Sequence, residues 1–277
     1  MIDIHAHILP GLDDGPATMA DALKMARIAV EDGIRTIIAA PHCLNGLYNN
    51  YRKGIISACS KFNSALRENR IALEILPGAE VHLDMEILNA LEDNRLMTLN
   101  DTGQFFLLEL PDQFVPRALI GFVARLKGVN VTPIIAHPER NMAIQRDVTL
   151  LHDLVSEGAL SQITGRSLTG EFGSPAFKCS LRIIELNLAH FLATDAHSPG
   201  NRPPTLSRAV KKLSKLIGRP GMKNIVFEKP QMLLKGHRPE GLFQEHPSYK
   251  PLFDGDEETI RMDDNLTPQA GRNNPYG

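Results

Sequence analysis

Short apolar, β-prone runs alternate along this chain with stretches whose apolar residues recur every three or four positions. Ile2–Ile4 reads as a short strand, and RTIIAAPH (35–42) as a buried strand ending at a proline. Further strands are expected in ALEILPGAE (72–80), FFLLELP (105–111), VTPIIAHPER (131–140), LSQITG (160–165), HFLATDAH (190–197) and NIVF (224–227). Between them the spacing predicts helices over 18–33, 51–68, 84–93, 116–127, 147–157, 175–188 and 205–217. The first is the best marked: Thr18 and Asp21 resemble a capping box, Met19, Leu23, Ala26 and Val30 recur at helical spacing, and Gly33 suits the end. Strand and helix in repeated alternation mean parallel βαβ units, hence a barrel or a doubly wound sheet. No repeat of fixed period is visible.

Nearly every strand ends on a residue that can bind a metal. His5, His7 and Asp14 follow the first strand, and His42 the second. Glu80 ends EILPGA, Glu109 ends FFLL, His137 follows TPIIA, and Asp195 and His197 follow FLAT. In a parallel α/β barrel these ends meet at one mouth. A lone His-x-His is weak evidence, and any one of these carboxylates alone suits a strand-end ion pair. Jointly they would crowd like charges in a buried place, where ionisation is disfavoured unless cations compensate. More than one ion is then needed, because a single ion rarely takes more than about six protein ligands. His82, His152 and His190 lie off this pattern and are read as structural or surface residues, and His237 and His246 as bystanders.

Bulk properties narrow the class. The chain has 277 residues, 43% hydrophobic and 22% charged, with net charge −2, so no global field favours nucleic acid or an anionic membrane. No apolar run approaches the ~18 residues of a membrane span. The start, MIDIHAH, lacks the basic and apolar regions of a signal peptide, so a cytoplasmic location is expected. Cys43, Cys59 and Cys179 fit reduced thiols rather than a disulfide framework. None begins a C-x5-R loop, since the sixth residue on is Asn49, Ala65 or Glu185, so cysteine-phosphatase chemistry is excluded. From Lys235 the chain is rich in Gly, Pro, Asn, Asp and Glu with few apolar residues, which predicts a flexible polar tail over 235–277 after a domain spanning 1–234.

The stretches MIDIHAHILPGLDDG, APH, GAE, LLELP, IIAHPERN and LATDAHS, in this order, resemble the PHP superfamily (polymerase and histidinol phosphatase). ILPGLDDG, ARIAVEDGIRTIIAAPH, HPERN and SLTGEFG make the chain similar to its bacterial protein-tyrosine phosphatases of capsule and exopolysaccharide synthesis. The resemblance implies a distorted (β/α)7 TIM-like barrel with three divalent ions, manganese first and iron or zinc as alternatives. It implies the ligands His5, His7, Asp14, His42, Glu80, Glu109, His137, Asp195 and His197. The implied division puts His5, His7 and Asp195 on one ion, Glu109 and His137 on a second, and Asp14, His42 and His197 on a third, with Glu80 bridging. Asp13 is the rival of Asp14, and the resemblance prefers Asp14. It also implies that Arg140 and Arg202 bind the substrate phosphate.

The implied reaction is hydrolysis of phosphotyrosine by metal-activated hydroxide, with a metal-bound water or His42 as the acid, on a tyrosine kinase of polysaccharide export. No nucleic acid or membrane insertion is expected, and an oligomer is compatible. The alternatives are a PHP hydrolase for a small ester such as histidinol phosphate, whose rim should close over its substrate, and a regulatory binding module with weak turnover. Cys43, Ala79 and His82 depart from the branch's common residues at the pocket rim, and Ala6 replaces a common Cys or Ser.

Overall fold

A computed structural model describes residues 1–237. Nine strands occur there: β1 (Ile2–Ala6), β2 (Thr36–Ala39), β3 (His42–Cys43), β4 (Glu74–Pro77), β5 (Glu80–His82), β6 (Phe105–Glu109), β7 (Thr132–Ala136), β8 (Leu160–Thr164) and β9 (Phe191–Ala193). All their pairings are parallel. One sheet runs β1-β2-β4 and the other β3-β5-β6-β7-β8-β9. β2 and β3 are one run broken at Ala40-Pro41, and β4 and β5 one run broken at Gly78-Ala79, so the nine strands are seven runs. A parallel bridge between Ala6 and Ala196 joins the last run to the first, with His7 N donating to Ala196 O and Asp195 N to His5 O, both at 2.8 Å. The pairings therefore return to their start, as expected for a (β/α)7 barrel.

The strands bury alternate residues in two layers, as their period of two requires. Ile37, Phe106, Leu108, Ile135 and Leu192 pack outward against the helices. Ile2, Ile4, Ile38, Phe105, Leu107, Ile134, Leu160 and Phe191 form a separate inner cluster with Leu99 and Leu233. The helices cover the outer layer with one face each. In the helix Arg52–Glu68 the buried residues are Ile55, Cys59, Phe62 and Leu66, at helical spacing. The helix Met19–Glu31 starts as its sequence suggests, the Thr18 hydroxyl accepting from Asp21 N at 3.2 Å, and Gly33 takes the left-handed conformation (φ +92°) just past its end.

One expectation fails. NIVF is not a strand: Asn224–Glu228 forms a π-helical turn after the helix Ser207–Lys223, with Ile225 and Val226 buried. A short apolar run suits either form, and β9 already pairs with the start of the chain, leaving no place between them for another strand. The helix expected over 147–157 is present as Thr149–Glu157, and a further helical piece, Met142–Arg146, precedes it. Residues 238–277 of the expected tail lie outside the described residues.

Candidate metal centre

The inner phase of the strands delivers the site. Ile38 and Ala40 are followed two residues on by His42, Phe105 and Leu107 by Glu109, and Phe191 and Ala193 by Asp195. Register brings these ends side by side, His42 standing opposite Glu80 and His82 opposite Glu109. His137 follows β7 in the opposite phase, yet its left-handed backbone (φ 32°) turns its Nε2 to within 2.8 Å of Glu80 Oε1. Asp195 is also left-handed (φ 51°). Such backbone is uncommon outside glycine and costs on the order of 1–3 kcal/mol, so neighbouring contacts must hold it.

All nine expected residues gather at this one end of the barrel. His5 and His7 present their Nε2 atoms 3.2 Å apart. Glu80, 1% exposed, lies at the centre, with oxygens 3.4 Å from His5 Nε2, 3.3 Å from His7 Nε2 and 3.2 Å from His42 Nδ1. Asp14 Oδ1 is 3.5 Å from His42 Nε2 and 3.4 Å from His197 Nε2. Asp195 Oδ1 is 3.6 Å from the Nε2 atoms of His5 and His7. Three groups have ligand atoms mutually within 4.8 Å: His7, Asp14, His42 and His197; His5, His7 and Glu80; and His42, Glu80 and Glu109. Glu80 belongs to two of them, as a bridging position would. His137 meets Glu80 rather than its expected companion Glu109.

Supporting hydrogen bonds aim the imidazoles. His5 Nδ1 meets Gln162 Oε1 at 2.8 Å, His7 Nδ1 meets Asp13 Oδ2 at 2.7 Å, and His197 Nδ1 meets Asp195 O at 3.0 Å. Each acceptor fixes the proton on Nδ1 and leaves the Nε2 lone pair facing the cluster. Burial, with His7 nearby, pushes the His197 ring down to about 3, so it stays neutral and able to donate that lone pair. Burial alone would push the Glu80 carboxyl up, but His5 and His137 outweigh it and hold it well below the usual carboxylate range. His42 Nδ1 is buried with no hydrogen-bond partner. An imidazole nitrogen without a hydrogen bond, converging Nε2 atoms and the two buried carboxylates of Glu80 and Asp195 form a donor set that fits divalent cations.

The Asp13–Asp14 pair divides its work. Asp13 is turned inward, taking His7 Nδ1, Gly15 N at 3.0 Å and His42 N at 3.1 Å, while Asp14 sends its carboxylate to the imidazoles and keeps half its side chain exposed. Gly15 is required by this turn, because a Cβ there would lie 2.6 Å from His7 O. Asp13→Ala should therefore leave the nine inner groups in place yet weaken metal affinity about 10–100-fold, the usual cost of losing an outer partner. Titration against a metal-competing chelator measures it, and unchanged affinity would show that Asp13 does not orient His7.

Arg140 and Arg202 stand at the edge of the cluster. Both donate to Asp195 Oδ2, Arg140 from Nη1 at 2.6 Å, and Arg202 also reaches Asp195 O at 3.0 Å. They keep 31% and 26% of their side chains exposed, so solvent reaches the cluster on their side. Sequence reasoning missed several partners. Gln162 could have been found as the lone amide on the inner phase of an apolar strand. Asp3, fully buried, accepts from Thr194 N at 3.0 Å and holds the β9 end to β1. His82, read as facing elsewhere, lies 3.3 Å from Glu109 Oε2. His152 is exposed and His190 is buried against Ser161, in keeping with their structural reading.

Known proteins resemble this chain in sequence and fold. The family model described as capsular polysaccharide synthesis, CpsB/CapC, matches residues 1–235. The chain is 41% identical over 247 residues to the tyrosine-protein phosphatase YwqE of Bacillus subtilis, covering 89% of this chain and 95% of that one. It is 36% identical to the putative tyrosine-protein phosphatase CapC of Staphylococcus aureus, over 73% of this chain and 79% of that one. Among solved structures it superposes with TM-score 0.82 and 42% identity on one reported with YwqE and Streptococcus pneumoniae CpsB as metal-dependent tyrosine phosphatases, covering 86% of this chain and 95% of that one. A β-aspartyl dipeptidase of Fervidobacterium islandicum, at 13% identity and TM-score 0.53, shares the fold alone. With a family model matching almost every described residue and a relative 41% identical over most of both chains, the chain belongs to the CpsB/CapC family of capsular polysaccharide synthesis.

Proposed function

We propose that this protein is a metal-dependent phosphotyrosine-protein phosphatase. Its substrate is a phosphotyrosine-bearing protein, in our reading a tyrosine kinase of polysaccharide export in the cytoplasm. The observation that carries this reading is the pair of partly exposed guanidinium groups converging on Asp195 beside the clustered His, Asp and Glu side chains. His5, His7, Asp14, His42, Glu80, Glu109, His137, Asp195 and His197 would hold three divalent ions, manganese first. Such ions supply a water of lowered pKa and neutralise charge on the phosphoryl group.

The chain's own groups do the rest. Arg140 and Arg202 offer planar, permanently charged donors suited to phosphoryl oxygens. Phosphoryl transfer asks mainly for such positioning and charge stabilisation. A phosphate can take the guanidinium donors that Asp195 holds in the free protein. The leaving tyrosinate, with a pKa of about 10, departs readily and needs only a modest acid. That acid would be His42, 3.5 Å from Asp14, or a water held by the ions. The partly open side suits a phosphotyrosine carried on a protein better than a small ester enclosed on all sides, because Asp14 is 49% exposed and Glu109 20%.

Turnover of a phosphotyrosine peptide against histidinol phosphate tests the reading, together with metal content. The peptide should be preferred by the wild type. Arg140→Ala should retain its metal and lose about 10²–10³-fold in kcat/KM, as expected when a donor to developing charge is removed. Preference for histidinol phosphate, or an Arg140→Ala enzyme with unchanged kinetics, would reject it.

A further inference from the structure

A third arginine stands with the pair. The guanidinium carbons of Arg140, Arg166 and Arg202 lie 5.2, 5.5 and 5.7 Å from the centre of one ring, that of Phe172. Arg166 is 20% exposed and comes from the short helix Gly165–Thr169 after β8, the strand whose end supplies no metal ligand. Unlike the other two it does not bind Asp195. Its Nη2 is held at 3.0 Å by Glu171 Oε2, a carboxylate 33% exposed at the rim. The other oxygen of Glu171 is independently anchored, at 2.9 Å from Thr169 Oγ1 and 3.3 Å from Arg208 Nη1. The buried Nε of Arg166 has no partner, and neither has the Nε of Arg202 nor the Thr164 and Ser167 hydroxyls.

We infer that Arg166 is a specificity-determining residue that binds an acidic side chain adjoining the phosphotyrosine of the substrate, with Glu171 occupying its place in the free protein. The inference rests on the phosphotyrosine reading above and deepens it. Arg140 and Arg202 face a deeply buried carboxylate at the ligand cluster, where a phosphoryl group belongs. Arg166 is turned to a carboxylate at the surface, where a peptide would pass. Phe172 keeps the three guanidinium planes together by cation–π contact and so fixes the offset between the phosphate and the flanking acid. An incoming Asp or Glu can replace Glu171 on Arg166 at little cost, because Glu171 keeps Thr169 and Arg208 through its other oxygen. A neutral flanking residue would leave the Glu171 pair intact and gain nothing from it.

The test compares kcat/KM for two phosphotyrosine peptides, identical except that one carries Asp and the other Asn beside the phosphotyrosine. The wild-type ratio should favour the Asp peptide by about tenfold, a gain of the size one charge-assisted hydrogen bond gives. Arg166→Gln should bring the ratio close to one, through KM rather than kcat. Glu171→Gln should move it the other way, by about threefold, as the competing carboxylate is removed. That second variant changes a surface group, and a gain cannot come from misfolding. A wild-type ratio of one, equal losses on both peptides in Arg166→Gln, or a ratio unmoved by Glu171→Gln would overturn the assignment. Absence of turnover on both peptides, with activity on histidinol phosphate, would instead remove the phosphotyrosine reading and this inference with it.

Discussion

Glu80→Gln should reduce turnover on the order of 10³-fold and lower the bound metal, the largest functional loss expected from any single change of one atom in this protein. Its carboxylate is the point on which His5, His7, His42 and His137 converge, all within 3.4 Å. An amide keeps the shape but offers one neutral oxygen and an N–H₂ that faces the imidazole nitrogens proposed to bind metal. The loss should exceed the 10–100-fold of a supporting residue such as Asp13. The metal-free protein is affected as well, since removing one partner of a buried charged network costs about 3 kcal/mol. The sign with pH follows from the depressed Glu80 carboxyl. Its stabilising contribution is fully present above the ordinary carboxylate range and disappears only as pH falls through the depressed value. Glu80→Gln should therefore destabilise the metal-free chain at neutral pH and make little difference in strong acid. Metal analysis, steady-state kinetics and metal-free melting curves check the three parts, and a variant with full metal and normal turnover would refute the central role of Glu80.

Gly78→Ala should be strongly destabilising for so small a substitution. Gly78 sits in the break between β4 and β5, where an added Cβ would lie 2.5 Å from Ile38 Cγ2, 2.9 Å from Ala39 O and 2.9 Å from Leu99 Cδ2. The side chains could turn aside, but the carbonyl of Ala39 belongs to the sheet and cannot. Overpacking of this kind costs about 1–3 kcal/mol, which for a domain of this size lowers Tm by roughly 2–4 °C per kcal/mol. Because Glu80 is two residues further on, metal affinity should fall with stability. A thermal scan and a chelator titration on the same sample measure both, and an unchanged Tm would mean that β2 gives way more easily than its buried position suggests.

Much of the site was readable because a strand has a period of two. Once Phe105 and Leu107 are recognised as one face, Glu109 continues it, and the same step leads from Phe191 and Ala193 to Asp195. The gathering of strand-end residues at one mouth followed from parallel topology, while the choice of Asp14 over Asp13 came from the resemblance. What could not be read depends on backbone or on distant partners. His137 is out of phase, and only its left-handed turn brings it to Glu80. Asp13 and Asp14 are chemically identical neighbours, separated only by which one the Gly15 turn points inward. Gln162 matters because His5, 157 residues away in sequence, needs an acceptor there. Arg166 carried no visible mark and Phe172 stood out only as part of SLTGEFG, since a ring shared by three arginines is a feature of space and not of spacing. NIVF failed for a related reason, because the place it would have taken is filled by the junction of β9 with β1.

That junction also dates the site within the life of the chain. The bridge from Ala6 to Ala196 joins residues made near the beginning and near the end of the domain's synthesis. At the ~5–20 residues per second of translation, His5 and His7 wait roughly ten seconds or more before Asp195 and His197 exist. Until then the nascent chain holds an incomplete set of imidazoles with no ring around it. Full metal loading, and with it the capacity to cleave phosphate, is therefore a property acquired only after the ribosome has finished the barrel.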